Sequence, residues 1–443
     1  MSLNRREFLR TSTVAATTLA AAPAFAADSH ARFTTALIGC GWWGMNILGE
    51  AIAAERSRVV ALCDVDDRHL LPAVEKVYQL TGDRPRIYKD HHELLSRERP
   101  EIVIVGTPDH WHPLQTIDAV KAGAHVYVEK PVGHTIQEGR AMVKAARKYD
   151  RLVQVGTHRR VSPHNVSGMH FLQSGKAGKI GFVRAFVHYG GLMGPEKPVP
   201  NQEPPKGLDW DRWCGPAPLR PFNPLLHPRG FRNFLDYANG TLGDWGIHWM
   251  DQVLWWTEEK WPKRVFSTGG RPIRGVPVDL PQAQTTDVPE AQSATWEFES
   301  FTLEWEHRMF GGNEAEKGES VGCYFYGTEG TFHMGWKSGW KFYPHNRNRP
   351  VIEEAPKLHE PDQQNIKELW ADFLAALDQK RRPVCDIELV HRSTNLSLLG
   401  MLSYKLGRSV RWDGEKETIL DDAYANTLLR RDYRKGYAYP TGA

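Results

Sequence analysis

The stretch Phe33-Thr34-Thr35-Ala36-Leu37-Ile38-Gly39-Cys40-Gly41-Trp42-Trp43-Gly44 decides the fold. A short apolar run stops at a glycine, and Gly39, Gly41 and Gly44 then stand in the spacing G-x-G-x-x-G. The first two glycines allow a tight turn and close approach of a ligand to the backbone, and the third lets the next helix pack closely on the strand. That helix is expected to run to about Glu55. Its N-terminus offers unpaired N–H groups and the positive end of a dipole to a pyrophosphate. A second apolar run, Val59–Cys63, ends at Asp64, twenty residues after Gly44, where a carboxylate can bind the ribose hydroxyls of an adenosine. Loop and carboxylate together read as a dinucleotide site. Asp64 should also repel a 2′-phosphate, which favours NAD, while nearby Arg68 keeps NADP open.

Working outward, the runs Thr34–Ile38, Val59–Cys63, Ile102–Val105, His125–Val128 and Leu152–Val155 are short, apolar and rich in β-branched residues, with helical segments between them. Such runs are buried on both faces of a parallel sheet, so residues 33–155 read as a doubly wound Rossmann domain. Asp90 stands ahead of the helix His91–Ser96, and Ala122-Gly123 closes one that starts near Pro113. Past Gly156 the texture changes. Pro195 to Pro228 reads as a long proline- and aromatic-rich loop, and Ala291–Glu299, Thr302–His307 and Gly322–Gly327 alternate as strands of an open antiparallel sheet. Amphipathic helices are expected at Gln363–Gln379 and Ile387–Leu406, the second capped by Gly407. Residues 156–443 are therefore expected to form a substrate-binding α/β domain with a large, mostly antiparallel sheet.

Open α/β sheets bind ligands at the C-terminal ends of their strands, and two segments fall there. Thr107-Pro108-Asp109-His110-Trp111-His112 follows the third run, and Glu129-Lys130-Pro131 follows the fourth. Thr107 and Pro108 are placed at the nicotinamide ribose, with Trp111 or His112 near the ring. Asp109, His110 and His112 lack the clustered spacing of a metal site, so no metal is expected. Trp42 and Trp43 are bulky for a phosphate loop and either wall the nicotinamide end or pack beneath it. Arg159, just past the fifth run, is either a substrate contact or a surface arginine.

These motifs, with Gly243-Asp244-Trp245-Gly246-Ile247-His248 in the second domain, resemble the glucose-fructose oxidoreductase, inositol dehydrogenase and rhizopine catabolism family, written Gfo/Idh/MocA. The resemblance covers nearly the whole chain after its leader. It implies a Rossmann domain followed by an α/β domain whose open sheet carries the substrate site and often an oligomer contact, here a dimer or tetramer. It also implies that Lys130, Asp244 and His248 form the catalytic group; Glu129 and Lys130 are further expected at the cofactor and Trp245 at the substrate. The chemistry of the residues agrees. Oxidising a secondary alcohol with NAD needs a base for the hydroxyl proton, and His248 suits that near neutral pH. Asp244, four residues earlier, shares its helix face and either orients the imidazole or binds a neighbouring hydroxyl. Lys130 would hold or polarise the reacting oxygen.

The first residues read as an address. Asn4-Arg5-Arg6-Glu7-Phe8-Leu9 carries a twin arginine, a mildly apolar run follows to Ala22, and Ala24-Phe25-Ala26 offers a cleavage site. Residues 1–26 are thus expected to be a twin-arginine signal and the protein periplasmic, with no membrane span. Five cysteines without CxxC spacing suggest no disulfide framework and no structural zinc. A net charge of +3 over 443 residues gives no reason to expect nucleic acid, so a small partner is expected, and the resemblance implies a sugar or cyclitol. Free NAD is not expected outside the cytoplasm, which implies a tightly held cofactor. Two rival readings remain: a glycoside hydrolase or lyase acting through transient oxidation at C3 and elimination, and a non-catalytic sugar-binding protein.

Overall fold

Strands β1 (Phe33–Ile38), β2 (Ser57–Cys63), β3 (Arg86–Tyr88), β4 (Ile102–Val105), β5 (His125–Val128) and β6 (Val153–Val155) form one parallel sheet in the order β3-β2-β1-β4-β5-β6. This computed structural model describes residues 32–312, 319–359 and 364–442. The twin-arginine segment and Gln363 lie outside the described residues. The strand order is that of a dinucleotide-binding Rossmann sheet, and its switch point lies between β1 and β4. Strand β3 was not expected: it is three residues at the sheet edge, too short to carry a pattern.

The loop after β1 is shaped by backbone contact. Gly39 has φ +93°, and a Cβ there would lie 2.8 Å from the Gly106 carbonyl carbon. A Cβ on Gly106 would lie 2.9 Å from the Gly44 Cα, and one on Gly44 would overlap the Gly39 carbonyl oxygen. Three glycines thus bring the end of β1, the helix Trp42–Ala53 and the end of β4 together without side chains between them.

Beyond residue 156 a ten-stranded mixed sheet forms. Strand β7 (Ile180–His188) lies in its middle, antiparallel to Val321–Gly327 and parallel to Thr302–Arg308; the remaining pairings are antiparallel. One face is covered by the helices Ile247–Trp256 and Ile387–Leu406, with Trp249, Trp296, Trp305 and Phe325 fully buried between.

Two expectations need correction. The helix Ile366–Gln379 does not join this second core: Leu369, Trp370 and Phe373 pack into the core of the first sheet, where Trp370 meets Tyr127 at 5.8 Å. The Pro195–Pro228 segment, read as a loop, is the start of an ordered cover. Residues 208–238 build a core of their own around Trp210, Trp213, Phe222 and Phe234. Backbone bonds tie the segment to the end of β2, from Asp209 N to Val65 O (3.0 Å) and from Asp67 N to Gly207 O (3.0 Å).

Gly44→Ala forces a methyl group into a carbonyl that cannot swing aside. It should destabilise the protein by about 1–3 kcal/mol in denaturant unfolding and weaken NAD binding; an unchanged midpoint with unchanged affinity would refute the three-glycine contact.

Candidate active site

A cleft of about 940 Å³ runs along the C-terminal edge of the first sheet, between that sheet, the cover and the second domain. Its adenosine end is set by β2. The Asp64 carboxylate accepts from Cys40 N (2.7 Å) and Asp66 N (2.8 Å), which fixes it beside the glycine loop with lone pairs to spare. Arg68 turns away: its Nε and Nη2 hold Asp66 at 2.9 and 2.6 Å. Asp66, His69 and His227 bring possible metal-ligating atoms within 4.8 Å of one another, but the Arg68 guanidinium already occupies the Asp66 carboxylate.

The middle of the cleft fits a pyrophosphate. Gly41 precedes the helix Trp42–Ala53 without a side-chain cap, and a Cβ on it would meet nothing within 4 Å, so the helix N–H groups face open space. Trp42 stays half exposed with the Arg229 guanidinium 4.4 Å over its ring. Trp43 also lines the cleft and hydrogen-bonds Glu129. Glu129 is buried against Gly156 and accepts from Lys130 N at 3.1 Å. Burial raises its pKa.

At the inner end Thr107 and Pro108 line the cleft, and Thr107 Oγ1 donates to Gln115 Oε1 at 2.6 Å. His112 does not line it. Its buried ring sits between Pro131 O (3.0 Å) and Thr107 O (2.8 Å), tying the loop after β4 to the loop after β5. His110 turns instead to Trp213 O (2.9 Å), so the two imidazoles diverge.

Lys130 and Asp244 meet across the cleft. Lys130 Nζ donates to Asp244 Oδ1 (2.6 Å) and to its backbone carbonyl (2.9 Å), and Arg232 Nε reaches the same Oδ1 at 3.1 Å. A π-helical turn, Leu242–Gly246, presents Asp244 ahead of the helix Ile247–Trp256. Burial would raise the Asp244 carboxyl, but Lys130 and Arg232 outweigh it and hold it down to about 2. Its pairing is therefore in place above the ordinary carboxylate range and is lost only as pH falls through about 2.

His248 lies on the next turn, and Asp244 does not orient it. Its buried Nδ1 has no partner, and the ring is held edge-on by Trp336 (5.1 Å), His158 (5.6 Å) and Trp245 (6.3 Å). Burial, then Lys130 and His158, push its pKa well below the usual histidine value, so the imidazole is neutral. Arg159 does not reach the cleft. It is buried behind Trp336, 3.8 Å over that ring, and donates to Trp336 O at 3.1 Å. Arg232, Trp336 and the His227–Arg229 edge were not foreseen, because they stand in segments without a motif.

Asp64→Asn should lower NAD affinity about 10- to 100-fold and narrow the preference over NADP, measured by quenching of indole fluorescence. Equal affinity of the unmodified protein for the two nucleotides would sink the assignment of Asp64.

Comparison with known proteins agrees with this geometry. Residues 33–157 match the model of an oxidoreductase family NAD-binding Rossmann fold, and residues 177–439 match that family's C-terminal α/β domain. A "Glycosyl hydrolase family 109 protein 2" of Shewanella sp. (strain ANA-3) is 32% identical over 162 residues, 30% of this chain and 35% of that protein. The chain thus matches about a third of that relative's length. Among solved structures, aldose-aldose oxidoreductase from Caulobacter crescentus complexed with glycerol superposes with TM-score 0.63 at 18% identity, covering 86% of this chain and 99% of that one. The WlbA dehydrogenase from Bordetella pertussis, in complex with NADH and UDP-GlcNAcA, gives 0.61 at 18% over the same shares. With both domain models matched from Phe33 to Tyr439, the chain belongs to the Gfo/Idh/MocA family of NAD-binding oxidoreductases.

Proposed function

We propose that the protein oxidises a secondary hydroxyl of a sugar or cyclitol, using NAD retained in the cleft. The observation that carries this reading is the neutral, unpartnered His248 imidazole beside the Lys130–Asp244 pair, at the edge of a sheet shaped for a dinucleotide. Gly39–Gly44 and Asp64 would hold the pyrophosphate and adenosine ribose, and Thr107, Pro108, Glu129 and Lys130 the nicotinamide half. The chemistry that NAD would supply when bound is a hydride acceptor for the carbinol carbon. His248 takes the hydroxyl proton, and Lys130, already directed by Asp244, donates to the oxygen on which charge develops. Trp245 and Trp336 face the same end and offer apolar walls to a sugar ring.

A second reading is supported by the relative named as a glycosyl hydrolase: oxidation at C3 as the first half of eliminative glycoside cleavage, with the hydride returned afterwards. Released aglycone without net NADH would favour it. The outer face of the large sheet exposes Phe182, Phe266 and Tyr343, which supports a homo-oligomer. Export by the twin-arginine route is the reading for residues 1–26. Changing Arg5 and Arg6 to Lys should strand the precursor in the cytoplasm, and unaltered periplasmic delivery would remove the argument.

His248→Ala should lower turnover by about two to four orders of magnitude, the usual range for general acid–base catalysis, with bound nucleotide unchanged by mass spectrometry. Loss of nucleotide and of thermal stability, with turnover per folded molecule preserved, would make His248 a core residue and overturn the mechanism.

A further inference from the structure

Asp109 is a buried carboxylate that accepts from its own backbone N–H and from no other described residue. It opens the turn Asp109–Trp111 after β4, is 6% exposed and lines the inner end of the cleft. Every other carboxylate facing that end is supplied: Asp244 by Lys130 and Arg232, Glu129 by the Trp43 indole and Lys130 N. No hydrogen bond or ion pair from another described residue reaches the Asp109 side chain. The charged groups nearest it are Arg232 from the cover, Lys130 from the loop after β5, and Asp244 from the π-helical turn. Both cations are already committed to Asp244. A buried carboxylate left in this way costs free energy that a ligand's hydroxyl would recover.

We propose that Asp109 anchors a hydroxyl adjacent to the one oxidised, so that the substrate is a vicinal diol and Asp109 sets specificity for it. This rests on the oxidoreductase reading above. Burial pushes the Asp109 pKa up to about 7, with Arg232 and Lys130 only partly offsetting it. The free group is therefore about half protonated near neutral pH, whereas a hydroxyl donates to its ionised form. Binding then releases a proton below that pKa and tightens as pH rises through it. The hydroxyl could belong either to the sugar or to the nicotinamide ribose; the sugar is the source proposed.

The test uses the NAD-loaded protein, a panel of monosaccharides and cyclitols, and the deoxy analogue of whichever compound reduces the bound nucleotide. Asp109→Asn should raise KM about 10- to 100-fold, the range for a hydrogen bond to a charged group, with kcat within about threefold. The deoxy analogue should lose the same factor in the unmodified protein and nothing further in the variant. Wild-type KM should fall between pH 6 and 8 and that of the variant should stay flat. If NAD affinity falls instead while the sugar KM holds, the donor is the cofactor ribose and the proposal is overturned. Equal KM for diol and deoxy analogue in the wild type overturns it too, even if the variant fails to fold. If no compound reduces the nucleotide, the oxidoreductase reading falls. Carboxyl infrared difference spectra of wild type against Asp109→Asn then stand alone, and absence of a protonated band titrating near neutral pH overturns the anchor independently.

Discussion

The 2.6 Å contact between Lys130 Nζ and the Asp244 carboxylate is the constraint around which the site is organised, because its two partners come from different domains. Lys130 follows a buried strand of the Rossmann domain, and Asp244 sits on a π-helical turn of the second domain. An ion pair this enclosed adds little net stability, since desolvation offsets most of the attraction. What it contributes is position. It aims the ammonium into the cleft, commits the Asp244 carboxylate away from His248, and draws in Arg232, so that two cations share one carboxylate. The imidazole is left to aromatic edges, which orient a ring without fixing which nitrogen carries the proton.

Much of this was legible in the chain. The glycine loop, Asp64, the Glu129-Lys130-Pro131 segment and the Asp244 to His248 spacing are local patterns, each read from a few neighbouring residues, and all reach one cleft. What escaped depends on partners far apart in sequence. Strand β7 gains its place by pairing with residues more than a hundred positions later, and a single apolar run does not reveal that. Arg232 and Trp336 matter because of what they face, and nothing adjacent to them says so. The aromatic cover looked like loop since its one short helix, Trp210–Cys214, is too brief to carry a period, and irregular backbone brings Phe222 and Phe234 to it.

Arg159 shows the same limit from the other side. Its placement after β6 suggested a substrate contact, yet the guanidinium is enclosed between Trp336 and Trp249 with backbone carbonyls as its acceptors. Burial pushes its pKa down to about 9. The charge stiffens the indole that forms the cleft wall; position along a strand end identified the neighbourhood and not the role.

The helix Ile366–Gln379 restricts how the cleft can open. Trp370 and Phe373 are anchored in the first core, while the helix Ile387–Leu406, only a few residues on, enters that core with Ile387 and Val390 and packs under the large sheet from Leu396 onward. Swinging the two domains apart like a hinge would draw large aromatic side chains out of a packed interior, at a cost of about 1.5–3 kcal/mol for each one exposed. Traffic of small molecules is therefore expected at the cover, whose backbone ties to the end of β2 are two hydrogen bonds that together make one β-bridge. On that reading the two domains are a fixed frame, and the cover, with an aromatic core of its own, is the door.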